Sequence, residues 1–140
     1  MIYRYRGSTV LETTEFQGLF PIERIDRGRR KTFRAKTDLK TLLPLRVGKK
    51  IMAKFDTEES GKASTATFEL LPKKTDILYI GSCKYAVFQV ERSEGRAERA
   101  PQFINNDYYA ADLKIIVAKE YREQSGATTW VKYDKIYPER

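Results

Sequence analysis

The sequence predicts an all-β fold: one mainly antiparallel, curved sheet closed into a half-barrel, barrel or sandwich. Three observations carry this. Apolar residues between turn signals alternate mostly with period two, which is the spacing of side chains on one face of a strand. Gly, Asn, Asp and Ser clusters punctuate the chain at short intervals. Only one stretch, close to 38–43, has helical credentials. The 140 residues fit a single domain over 1–140, with 41% apolar side chains to fill one core.

In order, Met1–Arg6 and Val10–Phe16 flank Gly7-Ser8 as a first hairpin. Phe20–Ile25 and Thr32–Ala35 flank the turn Asp26-Arg27-Gly28-Arg29. Thr37 is placed to cap a helical turn Asp38–Leu43, and Pro44 ends it by restricting the residue before it. Lys50–Asp56 sets Ile51, Ala53 and Phe55 on one face. After the turn Thr57–Gly61, Ala63–Leu71 aligns Ala66, Phe68 and Leu70. Ile77–Ile80 and Cys83–Glu91 flank Gly81-Ser82. The second of these is apolar on both sides and reads as a central, doubly covered strand.

Ser93–Asp107 is the longest polar stretch and reads as a long exposed loop, and Ala110–Lys114 as a short turn. Lys114–Tyr121 and Thr128–Tyr137 flank Gln124-Ser125-Gly126 as a last hairpin, giving a total of about nine strands.

Composition narrows the function. The chain carries 27 Lys and Arg against 19 Asp and Glu, a net +8, so its surface attracts anions. The excess is uneven, 15 basic to 9 acidic in residues 1–70 and 12 to 10 beyond. With no histidine the commonest general base and metal ligand are missing, and one cysteine makes no internal disulfide or zinc site. Gly61-Lys62-Ala63-Ser64 lacks the upstream glycine and the Ser or Thr directly after lysine that a phosphate loop needs. The expectation is a chain that is not an enzyme and takes no cofactor or metal. No window approaches the roughly 18 apolar residues of a membrane-spanning helix, and Met1–Arg6 is no signal peptide.

Two candidate contact surfaces emerge. The first is basic: Arg27, Arg29, Arg30, Lys31, Arg34 and Lys36 fill six of the ten positions 27–36. Such a cluster can contact anions or a partner, and equally serves as a solvated hairpin tip that discourages edge pairing. The second is aromatic. Tyr108, Tyr109, Tyr121, Trp130 and Tyr133 could line a concave face or simply fill the core. Tyr3-Arg4-Tyr5-Arg6 interleaves rings and cations as single-strand binders do, but period two sends them to opposite faces. Cys83 reads as a buried, inert thiol.

Three segments carry a resemblance: Leu42-Leu43-Pro44-Leu45-Arg46-Val47-Gly48-Lys49, the strand Ile80-Gly81-Ser82-Cys83-Lys84-Tyr85-Ala86-Val87-Phe88-Gln89-Val90-Glu91-Arg92, and Asp107-Tyr108-Tyr109-Ala110-Ala111-Asp112-Leu113-Lys114-Ile115-Ile116-Val117-Ala118-Lys119. Over residues 42–137 the chain resembles small exported β-sheet proteins of the Gram-negative cell envelope, many of unassigned function. The resemblance implies a curved antiparallel sheet in the periplasm, its signal peptide removed, and it transfers no functional residue. The first expectation is therefore a non-enzymatic envelope module that binds a lipid, peptidoglycan or a protein. The alternative is a small basic cytoplasmic domain that binds single-stranded nucleic acid through the 27–36 hairpin.

Overall fold

Short-range hairpin chemistry builds nearly all of the molecule, whose backbone a computed structural model describes over residues 2–5, 8–97, 99–122 and 128–132, with side chains described over 12–97 and 99–121. Every strand pairs with the next in sequence, so ten strands form a single antiparallel meander. They are β1 (Ile2–Tyr5), β2 (Ser8–Phe16), β3 (Phe20–Asp26), β4 (Arg29–Ala35), β5 (Ile51–Glu59), β6 (Lys62–Ile80), β7 (Cys83–Arg96), β8 (Gln102–Ala110), β9 (Ile115–Arg122) and β10 (Thr128–Lys132). Two-residue loops close β3–β4 and β5–β6, where Arg27-Gly28 and Ser60-Gly61 both take positive φ. That is the turn whose twist matches the strands it joins.

The sheet curls into a half-barrel. Between β3 and β7 lie four strand spacings, about 19 Å in a flat sheet. Even so, the Arg92 guanidinium donates to the Leu19 carbonyl at 3.0 Å, and the Tyr109 hydroxyl donates to the Gln17 carbonyl at 2.5 Å. The β2–β3 turn thus folds back over β7–β9. A Cβ on Gly18 would sit 2.0 Å from the Lys114 carbonyl oxygen, so this approach requires glycine.

Two apolar clusters follow from the alternation. On the concave face Phe20, Phe33, Phe55 and Phe68 pack with Leu70, Val90, Tyr109 and Ile116. The Phe55 and Phe68 rings meet edge to face, centroids 5.3 Å apart, the arrangement that aromatic quadrupoles favour. On the opposite face of β6–β9 lie Ile80, Val87, Tyr108, Ala110, Val117 and Ala118. Strand β7 is therefore covered on both sides, as its sequence predicts.

Four expectations need correction. Ser93–Asp107 is not an exposed loop: β7 continues to Arg96, β8 starts at Gln102, and Asn105, Asn106 and Asp107 are buried. Asn105 donates to Asp107, and Asn106 donates to Glu120 at 3.3 Å. The strands Ala63–Leu71 and Ile77–Ile80 read from the sequence are one strand, β6, whose pairing with β7 shifts register between Pro72 and Lys74. The helical turn is a 3-10 turn, Leu39–Leu42, and Asp38 caps it: its carboxylate accepts from the Lys40 amide at 3.2 Å. Thr37 instead accepts from the Lys54 amide at 3.1 Å, tying the corner to β5. Finally, Cys83 is exposed rather than buried, since it opens β7 at a hairpin tip. The hairpin turn at 124–126 and the chain beyond 132 lie outside the described residues.

Candidate functional site

The concave face changes character along its length, and strand register sets the order. Phe16, Phe20, Phe88, Tyr109 and Ile116 mark one end, where β2 turns into β3, β7 runs toward β6, and β8 turns into β9. Arg92, Glu94, Asn105 and Asp107 occupy the middle, and Arg24, Lys31 and Arg96 the far end.

At the first end a cleft of about 390 Å³ opens between the β2–β3 turn and the corner that follows the 3-10 turn. Phe16, Leu43, Pro44, Leu45, Phe88 and Tyr109 wall it, with Ala111 and Lys40 at its edge. Phe88 and Tyr109 are register partners on β7 and β8, so both leave the same face at the same level. The opposite wall is held in place by the Asp38 cap, by the Thr41 hydroxyl on the Asp38 carbonyl at 2.7 Å, and by the Gly48 amide on the Pro72 carbonyl at 2.8 Å. Burial pushes the Tyr109 phenol up to about 12. It is therefore a neutral donor at neutral pH, fully used by Gln17. Lys40 is exposed and is the cationic residue of the lining, which Gln17 also joins.

The middle of the face is a buried charge network. Arg92 is 7% exposed and Asp107 1%. Arg92 Nε bonds Glu94 Oε1 at 3.1 Å, and its NH1 lies 3.5 Å from Asp107 Oδ2. The second contact is close enough for ionic attraction but is not aligned as a hydrogen bond, and Oδ2 has no other partner among the described residues. Asn105 donates to the other Asp107 oxygen. Burial alone would push the Arg92 guanidinium down, but Asp107, Glu94 and Glu15 together hold it above its ordinary value. Glu15 is raised because burial outweighs the attraction of Arg92 and Lys119. The network is an internal tie: through Leu19 it fastens the β2–β3 turn to β7 and β8.

The far end is basic. Arg24 and Lys31 are direct register partners on β3 and β4. The Arg24 guanidinium lies 5.8 Å and the Lys31 ammonium 5.2 Å from the centroid of the same Phe33 ring. Lys31 is pushed below its ordinary value by desolvation first and then by Arg96.

The structure separates the residues singled out in the sequence. Arg27 and Arg29 are exposed at the β3–β4 tip. Arg30 pairs with Glu23 at 3.7 Å, and Arg34 and Lys36 pair with Asp56 at 3.4 and 3.5 Å. Lys31 turns to the concave face, so alternation divides the six cations between two surfaces. Among the tyrosines, Tyr109 and Tyr121 share the concave face by register, while Tyr108 belongs to the opposite cluster with its hydroxyl 3.5 Å from Glu120. The three described tyrosines thus form no single aromatic lining. The Trp130 side chain and Tyr133 lie outside the described residues.

The cleft walls other than Tyr109 were not singled out as a site. Their signal is present in Leu42-Leu43-Pro44-Leu45, a corner too apolar for a solvated loop. Among the described residues no three His, Cys, Asp or Glu side chains are grouped to hold a metal. No described helix is long and apolar enough to cross a membrane.

No protein-family model matches the chain, and no curated protein matches it. A solved structure shares the fold: the crystal structure of the hypothetical lipoprotein YmcC from Escherichia coli K12. The TM-score is 0.51 at 10% identity, over 87% of this chain and 69% of that one. The resemblance read over residues 42–137 thus meets a solved hypothetical lipoprotein, and the likeness is one of fold.

Proposed function

We propose that the chain is a non-enzymatic binding module of the bacterial cell envelope, and that the end cleft of its half-barrel holds an acyl chain. One observation carries the reading. The 390 Å³ cleft is walled by Phe16, Leu43, Pro44, Leu45, Phe88 and Tyr109 and has a lysine at its mouth. Its size falls in the range of small-molecule sites, and its lining gives apolar area in return for an apolar chain. Lys40 offers a counter-charge to a carboxylate or phosphate head. The Tyr109 hydroxyl is already spent on the Gln17 backbone carbonyl, leaving a largely apolar lining to select the occupant. The fold likeness to a lipoprotein supports the envelope assignment, as does the resemblance of residues 42–137.

Calorimetric titration of the 140-residue chain with a medium-chain fatty acid tests the proposal. One saturable site is expected. Ala111→Trp fills the cleft from an exposed turn position, so it abolishes binding while stability stays within about 0.5 kcal/mol. Equal binding by this variant would defeat the reading. Fractionation of cells that make the natural protein tests the compartment, and recovery with the cytoplasmic fraction would contradict an envelope role.

A further inference from the structure

The far end of the concave face holds a second feature, independent of the cleft. Arg24 and Lys31 stand directly opposite each other across β3 and β4. Like charges in that relation destabilise a sheet, and an exposed pair would relieve itself by turning outward. These two point inward instead, over the face of Phe33 at 5.8 and 5.2 Å. Arg96 enters from β7, where its register partner is Ala66, close enough to Lys31 for the two charges to repel.

Carboxylates offset the cluster only in part: Glu59 and Glu94 favour the Lys31 ammonium, but desolvation and Arg96 outweigh them. Glu94 is engaged by Arg92 at 3.1 Å. Glu59 faces both Lys31 and Lys62 in register, yet no ion pair within 4 Å joins any of Arg24, Lys31 and Arg96 to an acid among the described residues. Arg24 Nε is buried and has no hydrogen-bond partner there. Two cations from β3 and β4 thus share the Phe33 ring as a floor, a third enters beside them from β7, and a buried Arg24 N–H is unspent.

We propose that Arg24, Lys31 and Arg96 form a binding site for a phosphate-type oxyanion, resting on the Phe33 face at the end of the half-barrel opposite the acyl cleft. An oxyanion there relieves the repulsion between the cross-strand pair and takes up the donor that protein atoms leave unused. The planar guanidinium forks suit the oxygens of phosphate, and Lys31 adds a point charge. The shared chemistry covers free phosphate and a phosphorylated headgroup, and two probes separate them.

The test titrates the full chain with inorganic phosphate, and with phosphatidylglycerol vesicles against phosphatidylcholine vesicles. Saturable binding of phosphate, or of phosphatidylglycerol alone, is expected. The first result assigns a free anion and the second a headgroup. The double variant Lys31→Gln/Arg96→Gln should weaken binding about tenfold or more, the loss of one to two charge-assisted contacts. Arg27→Gln/Arg29→Gln, at the exposed tip, should change it less than about twofold. Lys31→Arg guards against a folding artefact, since it keeps the charge and should keep binding. A second readout needs no variant: the titration midpoint of the Lys31 ammonium, followed by carbon-13 NMR, should rise when the anion is present. Absence of saturable binding to either probe overturns the proposal. So does equal loss in the tip variant, or binding confined to a single-stranded oligonucleotide and lost at the tip.

Discussion

Asp107 and Arg92 have almost no contact with solvent and face each other at 3.5 Å, with Glu94 on the other side of the guanidinium. Removing one partner of a buried pair strands the other, at a typical cost of about 3–5 kcal/mol. Asp107→Asn should therefore lower the unfolding free energy in urea by about that amount, whereas Arg34→Gln, which breaks an exposed pair, should cost less than about 1 kcal/mol. Glu15 behaves in the opposite sense. Burial raises its folded-state pKa above the ordinary 4.5, so the native state binds the proton more readily than the unfolded chain does. Stability on this account is undiminished below 4.5 and declines as pH rises through the raised folded value. Glu15→Gln removes that penalty. Thermal melts should show the variant more stable than wild type at pH 7, with the advantage shrinking toward pH 4. An advantage that is constant with pH would rule out the linkage.

The β2–β3 turn is the element on which curvature depends, because its backbone lies against the start of β9. Gly18 has φ +73° and no room for a Cβ beside the Lys114 carbonyl. Gly18→Ala combines a left-handed strain of about 1–2 kcal/mol with a backbone clash, so a loss of at least about 2 kcal/mol is expected. Gly28 has φ +84° but nothing within 4 Å of its added Cβ, and Gly28→Ala should cost only the strain. Equal losses in chemical denaturation would mean that the turn does not brace the sheet.

Elements of this kind differ in how far the sequence reveals them. β5, β6 and β7 announce themselves through Ile51, Ala53, Phe55 and the matching rows opposite, since apolar alternation is a local signal. The start of β8 does not. Asn105 and Asp107 alternate like a strand's inward residues and bond each other, but Arg92, which pairs with Asp107, lies on the preceding strand. A polar residue buried by another polar residue looks solvated until both are placed. The basic hairpin is legible as charge, yet only the fold shows Arg34 spent on Asp56 and Lys31 turned inward. The same holds for the cleft, whose walls come from β2, the corner at 43–45, β7 and β8.

Taken as one object, the half-barrel has a graded interior, apolar at one mouth, ion-paired in the middle and basic at the other. The aromatic stack of Phe20, Phe33, Phe55 and Phe68 fills the space between, so the two ends are separate sites rather than one channel. Binding at either end stabilises the folded state by mass action, about 2.7 kcal/mol at a hundredfold excess over Kd. A fatty acid and phosphate, engaging different ends, should raise the melting temperature additively. The claim that matters most is that an acyl chain lies in the end cleft. Intermolecular NOEs between the methylenes of a bound fatty acid and the protein locate it directly. The account predicts contacts to the rings of Phe16, Phe88 and Tyr109 and the methyls of Leu43; contacts confined to other residues, or none at saturating ligand, would contradict it.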